Sequence, residues 1–187
     1  MIAPGVLTSG VKNPLFRTFP DRLLRIRLAA DLFMSDVSRV AGVSVGTARA
    51  LEASVNVPTI QTIAFCAAGL GVSPTWLAFG WEGFQPFRQR IPRKGETPRA
   101  DPAPDPAERQ PSEAYKSIGQ RLRQAREASG LSLRAIARGC ELSPQALSLI
   151  EKGKSIPLVS NVEAIALVVG VAPGWLAFGE IDDLDMV

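Results

Sequence analysis

Residues 131–153 read Leu-Ser-Leu-Arg-Ala-Ile-Ala-Arg-Gly-Cys-Glu-Leu-Ser-Pro-Gln-Ala-Leu-Ser-Leu-Ile-Glu-Lys-Gly. Ser132, just ahead of an apolar-periodic run, is a helix N-cap, and the pattern predicts a short helix through Ile136 and Arg138. Ser143 followed by Pro144 is a second start, because proline at the first helical position gives up no helical hydrogen bond. This second helix runs to Lys152 and stops before Gly153. Ile136, Ala137, Leu142, Leu147 and Ile150 fall where two crossing helices need apolar or small side chains. The stretch therefore predicts two short helices joined by a tight turn.

Upstream, Tyr115, Ile118, Leu122 and Ala125 lie at helical spacing on one face, with Arg121, Arg123 and Arg126 off that face and Gly130 placed to stop the helix. Downstream, a fourth helix is expected over about Ser160 to Val169. A fifth opens at Ala172-Pro173 and ends near Gly179.

The same plan occurs twice. Pro-x-Trp-Leu-Ala-Phe-Gly at residues 74–80 returns at 173–179, an offset of 99. Held without a gap, that offset gives 18 identities over the 59 positions from 22 to 80, among them Arg22 with Arg121, Arg39 with Arg138, Ser44 with Ser143, Glu52 with Glu151 and Pro58 with Pro157. Chance would give only a few, so a unit of about 60 residues is duplicated. In the first copy the expected helices are Arg22 to Ala30, Ser35 to Val40, Ser44 to Ala53, Thr59 to Ala68 and Ser73 to Phe79. Neither copy carries a strand signal. The fold class expected is all-α, two five-helix bundles. Their limits are 19–84 and 112–180, preceded by an N-terminal arm at 1–18, joined by a linker at 85–111 and followed by an acidic tail at 181–187. The linker holds 7 of the 15 prolines, which neither a helix interior nor a central strand accommodates.

Composition narrows the chemistry. The chain has 187 residues, 46% hydrophobic and 21% charged, with a mean hydropathy of +0.11. No apolar stretch approaches the ~18 residues that span a bilayer, and Met1 to Gly10 has no Lys or Arg ahead of an apolar run; no membrane partner is expected, and the expected location is cytoplasmic. Histidine is absent, which removes imidazole ligands and bases and every Ser-His or Cys-His couple. Cys66 and Cys140 fit no zinc spacing and read as reduced structural thiols. No metal, no cofactor and no catalysis are expected; an enzyme would need one of these cysteines to act as nucleophile without a histidine. The balance is 21 Lys+Arg against 18 Asp+Glu. Because Glu180, Asp182, Asp183 and Asp185 close the chain without a cation, residues 1–179 hold 21 cations against 14 anions, net +7. A basic body suits an anionic partner such as nucleic acid.

The helix order, with Leu131-Ser132-x-x-x-Ile136-Ala137-x-x-x-x-Leu142-Ser143-x-x-x-Leu147-x-x-Ile150-Glu151-x-Gly153 and then Pro157, resembles the Cro/lambda-repressor (XRE) family of helix-turn-helix DNA-binding domains. The resemblance covers both copies, about two thirds of the chain. Departures are visible. Leu133 and Pro144 stand where such domains commonly have glutamines that touch DNA. Glu141 replaces the usual turn glycine, kept in the first copy as Gly42, and Ala53 and Ser54 stand opposite Lys152 and Gly153.

The resemblance implies double-stranded DNA as partner. The major groove admits one helix, and a second helix packed across it sets the first one's N-terminus against base edges. In the second copy Gln145, Ser148 and Lys152 form the outer face of that helix: Gln145 can pair bidentately with adenine, Ser148 can bond to several bases, and Leu149 can meet a thymine methyl. Ser132, Arg134, Ser143, Lys154 and Asn161 sit at helix ends or in the following loop, where family members hold phosphates; such contacts position rather than specify. In the first copy Thr47 and Arg49 are the base-reading candidates, and Ser35, Arg39 and Ser44 the phosphate candidates. That copy is less basic, five cations to four anions over 20–80 against eight to five over 112–179. Two uses stay open for it, DNA binding or pairing. The function expected is a sequence-specific transcriptional regulator of bacterial or phage type, a repressor, autoregulatory and nucleoid-associated, with a homodimer left open. The alternative is a protein-interaction regulator, an antitoxin or antiactivator, that binds a protein partner through the first repeat. Trp76 and Trp175 read as core, and Arg88, Arg90, Arg93 and Lys94 as a linker cluster that either is solvated or adds phosphate contacts.

Overall fold

A computed structural model describes residues 18–80 and 113–179. The arm up to residue 17, the linker with its cluster of Arg88, Arg90, Arg93 and Lys94, and the acidic tail lie outside the described residues. Among those described there is no strand, and each stretch is a five-helix bundle. The first holds α1 (Phe19–Ala29), α2 (Met34–Ala41), α3 (Val45–Glu52), α4 (Ile60–Leu70) and α5 (Pro74–Phe79). The second opens with a 3₁₀ turn, Glu113–Ser117, and continues with α6 (Ile118–Ser129), α7 (Leu133–Gly139), α8 (Pro144–Glu151), α9 (Val159–Val169) and α10 (Pro173–Phe178).

Capping chemistry sets most starts. The hydroxyls of Ser44, Ser73, Ser132 and Ser143 each accept the backbone N–H three residues on, at 3.0–3.2 Å. Such caps contribute on the order of 1 kcal/mol each. Two starts differ from expectation. α1 begins at Phe19 instead of Arg22, because Thr18 and Asp21 form a reciprocal capping box: the Asp21 carboxylate accepts from the Thr18 N–H at 3.2 Å and Thr18 Oγ1 accepts from the Asp21 N–H at 3.4 Å. α2 begins before Ser35, at Met34, with Phe33 at the N-cap. A phenyl ring cannot cap, and the Asp36 carboxylate supplies half a cap by accepting from the Phe33 N–H at 3.0 Å. Tyr115 lies in the 3₁₀ turn and not in the α-helix that its spacing suggested.

Each core is built from the periodic apolar positions. Leu23, Ile26, Val37, Leu51, Ile63 and Leu77 are buried in the first bundle, and Leu122, Ile136, Leu147, Ile150, Ile165 and Leu176 in the second. Each fully buried aliphatic side chain stabilises by roughly 1.5–3 kcal/mol. Leu142 is half-buried, at the edge of its crossing, and Trp76 and Trp175 are half-buried too, so the neighbouring Leu77, Phe79, Leu176 and Phe178 fill the core in their place. Both thiols are reduced and buried. Desolvation pushes Cys66 from 9.0 to about 12 and raises Cys140 as well.

Two arginines, Arg22 and its counterpart Arg121, the latter expected off the apolar face, are internal fasteners. Arg22 donates from Nε to the Leu77 carbonyl at 2.8 Å and from Nη2 to that of Ala78. Arg121 does the same to Leu176 and Ala177, at 2.8 and 2.7 Å, and reaches the Ala114 carbonyl at 2.7 Å. The last helix of each bundle thereby gains donors for carbonyls that have no helical partner, and a cation at the negative end of its dipole. Burial lowers the Arg121 pKa from its usual value.

Candidate nucleic-acid interface

α7 and α8 of the second bundle meet through buried Ile136, Ala137, Leu147 and Ile150, which orients the remaining faces outward. Along α8, Gln145 is exposed at the second helical position and Leu149 is 37% exposed. Ser148 is half-buried, and Lys152 is the exposed C-cap. Ser132 and Ser143 occupy the N-caps of α7 and α8; each hydroxyl accepts one backbone N–H and keeps its own O–H to donate. Arg134 is exposed in the first turn of α7. Gly153, at φ +66°, turns the chain after α8, and the Lys154 N–H closes the helix on the Leu149 carbonyl at 2.8 Å, leaving the Lys154 side chain exposed. Asn161 is half-buried in the first turn of α9.

A pairing absent from the sequence reading fixes the far end of the reading helix. Arg126 on α6 donates from Nε to Glu151 at 2.7 Å. In the first bundle Arg27 on α1 grips Glu52 bidentately, at 2.8 and 2.7 Å, and turns its third nitrogen to the Leu32 carbonyl at 3.4 Å. The hydrogen bond to its glutamate is the main cause that raises each arginine's pKa. The signal was available: both partners are among the 18 identities, 25 residues apart in each copy.

In the first bundle α3 is the equivalent of α8. Ser44 caps it, and the Thr47 hydroxyl bonds back to the Ser44 hydroxyl at 2.8 Å. Arg49 is exposed in the last turn of α3. Arg39 stands 3.7 Å from the Asp36 carboxylate, and Ser35 is exposed as the second residue of α2. The surroundings differ from those of α8. Phe33 replaces Ser132, Ala53 replaces Lys152 and Val55 replaces Lys154, with Phe33 66% and Val55 71% exposed.

A family model of the XRE-type helix-turn-helix matches residues 23–77 and again 122–176, each span starting in the first helix and ending in the last helix of one bundle. The chain belongs to this helix-turn-helix family. At the level of the family it is a DNA-binding regulator, carried as a tandem repeat. Comparison with curated proteins and with solved structures gives no match. Among the described residues no helix is long and apolar enough to cross a membrane, and no cluster of His, Cys, Asp or Glu could hold a metal ion.

Proposed function

We propose that the chain is a sequence-specific transcriptional repressor, cytoplasmic and autoregulatory, whose second repeat reads the major groove with α8. The carrying observation is the outward row Gln145, Leu149 and Lys152, with Ser148 beside it, framed by Ser132, Arg134, Ser143 and Lys154. The row supplies an amide for adenine, a hydroxyl, an apolar contact for a thymine methyl and a cation. The frame supplies donors for phosphates on either side, with Asn161 on the next helix as a further one. The first repeat has no assigned base-reading role in this proposal, since Phe33 and Val55 stand where phosphate contacts need a hydroxyl and a cation.

The experiment is a footprint on DNA flanking the gene, followed by binding of variants to the protected site and to random DNA. Gln145→Ala loses about 1–3 kcal/mol on the specific site and relaxes preference at one base pair. Arg134→Ala weakens both DNAs alike and lowers the salt slope by about one unit. Arg49→Ala leaves specific affinity unchanged. Equal loss on both DNAs for Gln145→Ala would remove its base-reading role. The second reading, a protein-interaction regulator working through the first repeat, draws on the exposed Phe33 and Val55, and it requires the Gln145 variant to regulate as the unaltered chain does.

A further inference from the structure

Gly119 is buried in the first turn of α6. A Cβ there would stand 2.5 Å from the Ile150 carbonyl oxygen, 2.6 Å from that of Glu151 and 2.9 Å from the Glu151 carbonyl carbon. All three are backbone atoms at the end of α8, so no side-chain rotation makes room and only a shift of the helix end can. Two helical turns further along α6, on the same face, Arg126 donates to the Glu151 carboxylate at 2.7 Å. Helix α6 therefore grips Glu151 twice, its backbone against Gly119 and its side chain on Arg126. The start of α8 is held by other groups: the short turn from α7, the Ser143 cap and fully buried Leu147. A displacement at the far end thus tilts the helix about its start. The side-chain half of the grip recurs in the first repeat as Arg27 and Glu52. Opposite Gly119, however, that repeat has Pro20, a ring where the second repeat has only hydrogen. The glycine belongs to the repeat whose helix carries Gln145, Leu149 and Lys152.

We infer that Gly119 is a positioning residue for base reading: its missing side chain sets the tilt of α8, and so decides what Leu149 and Lys152 meet. The inference rests on α8 reading the groove, as proposed above. To bring the Ile150 oxygen from 2.5 Å to ordinary contact at 3.4 Å, the end of α8 must move by about 0.9 Å. At a rise of about 1.5 Å per residue and with the pivot at Pro144, this is a tilt of about 6°. It displaces Leu149 by roughly 0.8 Å, Lys152 by roughly 1.2 Å and Gln145 by only roughly 0.2 Å. A contact that reads a base must be held to within about 0.5 Å. Leu149 and Lys152 leave that range, and Gln145 stays inside it. Attraction to phosphates, which carries no sequence information, changes little.

The test is selection of bound duplexes from a randomised library by the full chain, read as base preference position by position. Leu149→Ala and Lys152→Ala mark the positions read near the end of α8, and Gln145→Ala those read near its start. In Gly119→Ala, preference at the first set is expected to fall by at least about fivefold, while the Gln145 positions and affinity for random DNA stay within about twofold. Gly170→Ala is the control. At φ +75° and with nothing within 4 Å of its Cβ, it strains the same bundle without pushing a helix, and its profile should match that of the unaltered chain. Where Gly119→Ala does not fold, Arg126→Met decides, because it releases the other half of the grip; it should weaken the same first set by at least about twofold. An unchanged profile in the folded Gly119 variant, a uniform loss at every position, or the same change in Gly170→Ala overturns the inference. So does an unchanged profile in Arg126→Met where the glycine variant does not fold, or a Gln145 variant that loses a position when the Leu149 and Lys152 variants lose none. If none of these three side chains marks a position, the base-reading proposal itself has failed and the inference falls with it.

Discussion

Glu141 sits in the turn between α7 and α8 at φ +57°, a left-handed conformation that costs a residue with a Cβ roughly 1–2 kcal/mol. Replacing it with glycine removes that cost but adds about 0.5–1 kcal/mol of unfolded-state entropy, so Glu141→Gly should stabilise the second bundle by about 1 kcal/mol. The first bundle contains the reciprocal case. Gly42 occupies the same turn at φ +64°, and a Cβ there would meet nothing within 4 Å, so Gly42→Glu carries a backbone cost alone and should destabilise by a similar amount. Hydrogen exchange resolves the two bundles within the intact chain. Peptides spanning residues 131–153 should exchange about fivefold more slowly in Glu141→Gly, and those spanning 32–54 about fivefold faster in Gly42→Glu. Thermal unfolding of a bundle this size should move by roughly 4–8 °C for each kcal/mol. Unchanged or faster exchange in Glu141→Gly would refute the reasoning, since the strain would then be offset by something the Glu141 side chain does.

Three further outcomes are expected. Gly69→Ala should cost about 3 kcal/mol or more in a urea melt, because a Cβ there overlaps the Val40 carbonyl, a backbone atom that can move only with its helix. Arg121→Met should cost about 2–3 kcal/mol in the same assay by leaving the Leu176, Ala177 and Ala114 carbonyls without their donor, whereas Arg121→Lys, which keeps one donor, should lose about half of that. Burial pushes Cys66 from 9.0 to about 12, so the unfolded chain releases the thiol proton first, and stability present below pH 9 should fall by up to about 1.4 kcal/mol per unit between pH 9 and pH 12; the difference from Cys66→Val, which has no such proton, isolates it.

Local chemistry made much of this fold legible. Ser44, Ser132 and Ser143 announce helices because a hydroxyl there satisfies a backbone N–H that the helix leaves open, and the structure places all three at N-caps. The reading row on α8 follows from its period, once Leu147 and Ile150 are inward. What was hidden depends on partners distant in sequence. Phe33 as an N-cap is unreadable from its own chemistry, because the stabilising group is the Asp36 carboxylate. The internal roles of Arg22, Arg121, Arg27 and Arg126 are hidden for the same reason, because the acceptors that fix them lie 25 to 56 residues away. The tryptophans were expected inside because they sit in an apolar motif, but such a large ring is seldom fully buried.

The duplication itself carries information that no single copy holds. At the offset of 99, Val40 stands opposite Gly139 and Gly69 opposite Val168, two mismatches when taken one at a time. In the structure they are one exchange. Gly69 on α4 lies against Val40 on α2, and Gly139 on α7 lies against Val168 on α9, so each crossing keeps one glycine and one valine with the helices trading roles. Compensated differences of this kind mark a contact. The turns behave alike: Asp31, Ser54 and Glu141 hold positive φ opposite Gly130, Gly153 and Gly42, so the backbone conformation is kept while the glycine is not. Differences that nothing compensates have another meaning. Leu24 against Arg123, Leu28 against Glu127, Phe33 against Ser132 and Val55 against Lys154 exchange apolar for polar side chains at exposed positions. Packing constrains the first kind and leaves the second free, so the second kind is where two copies of one fold can take up different work.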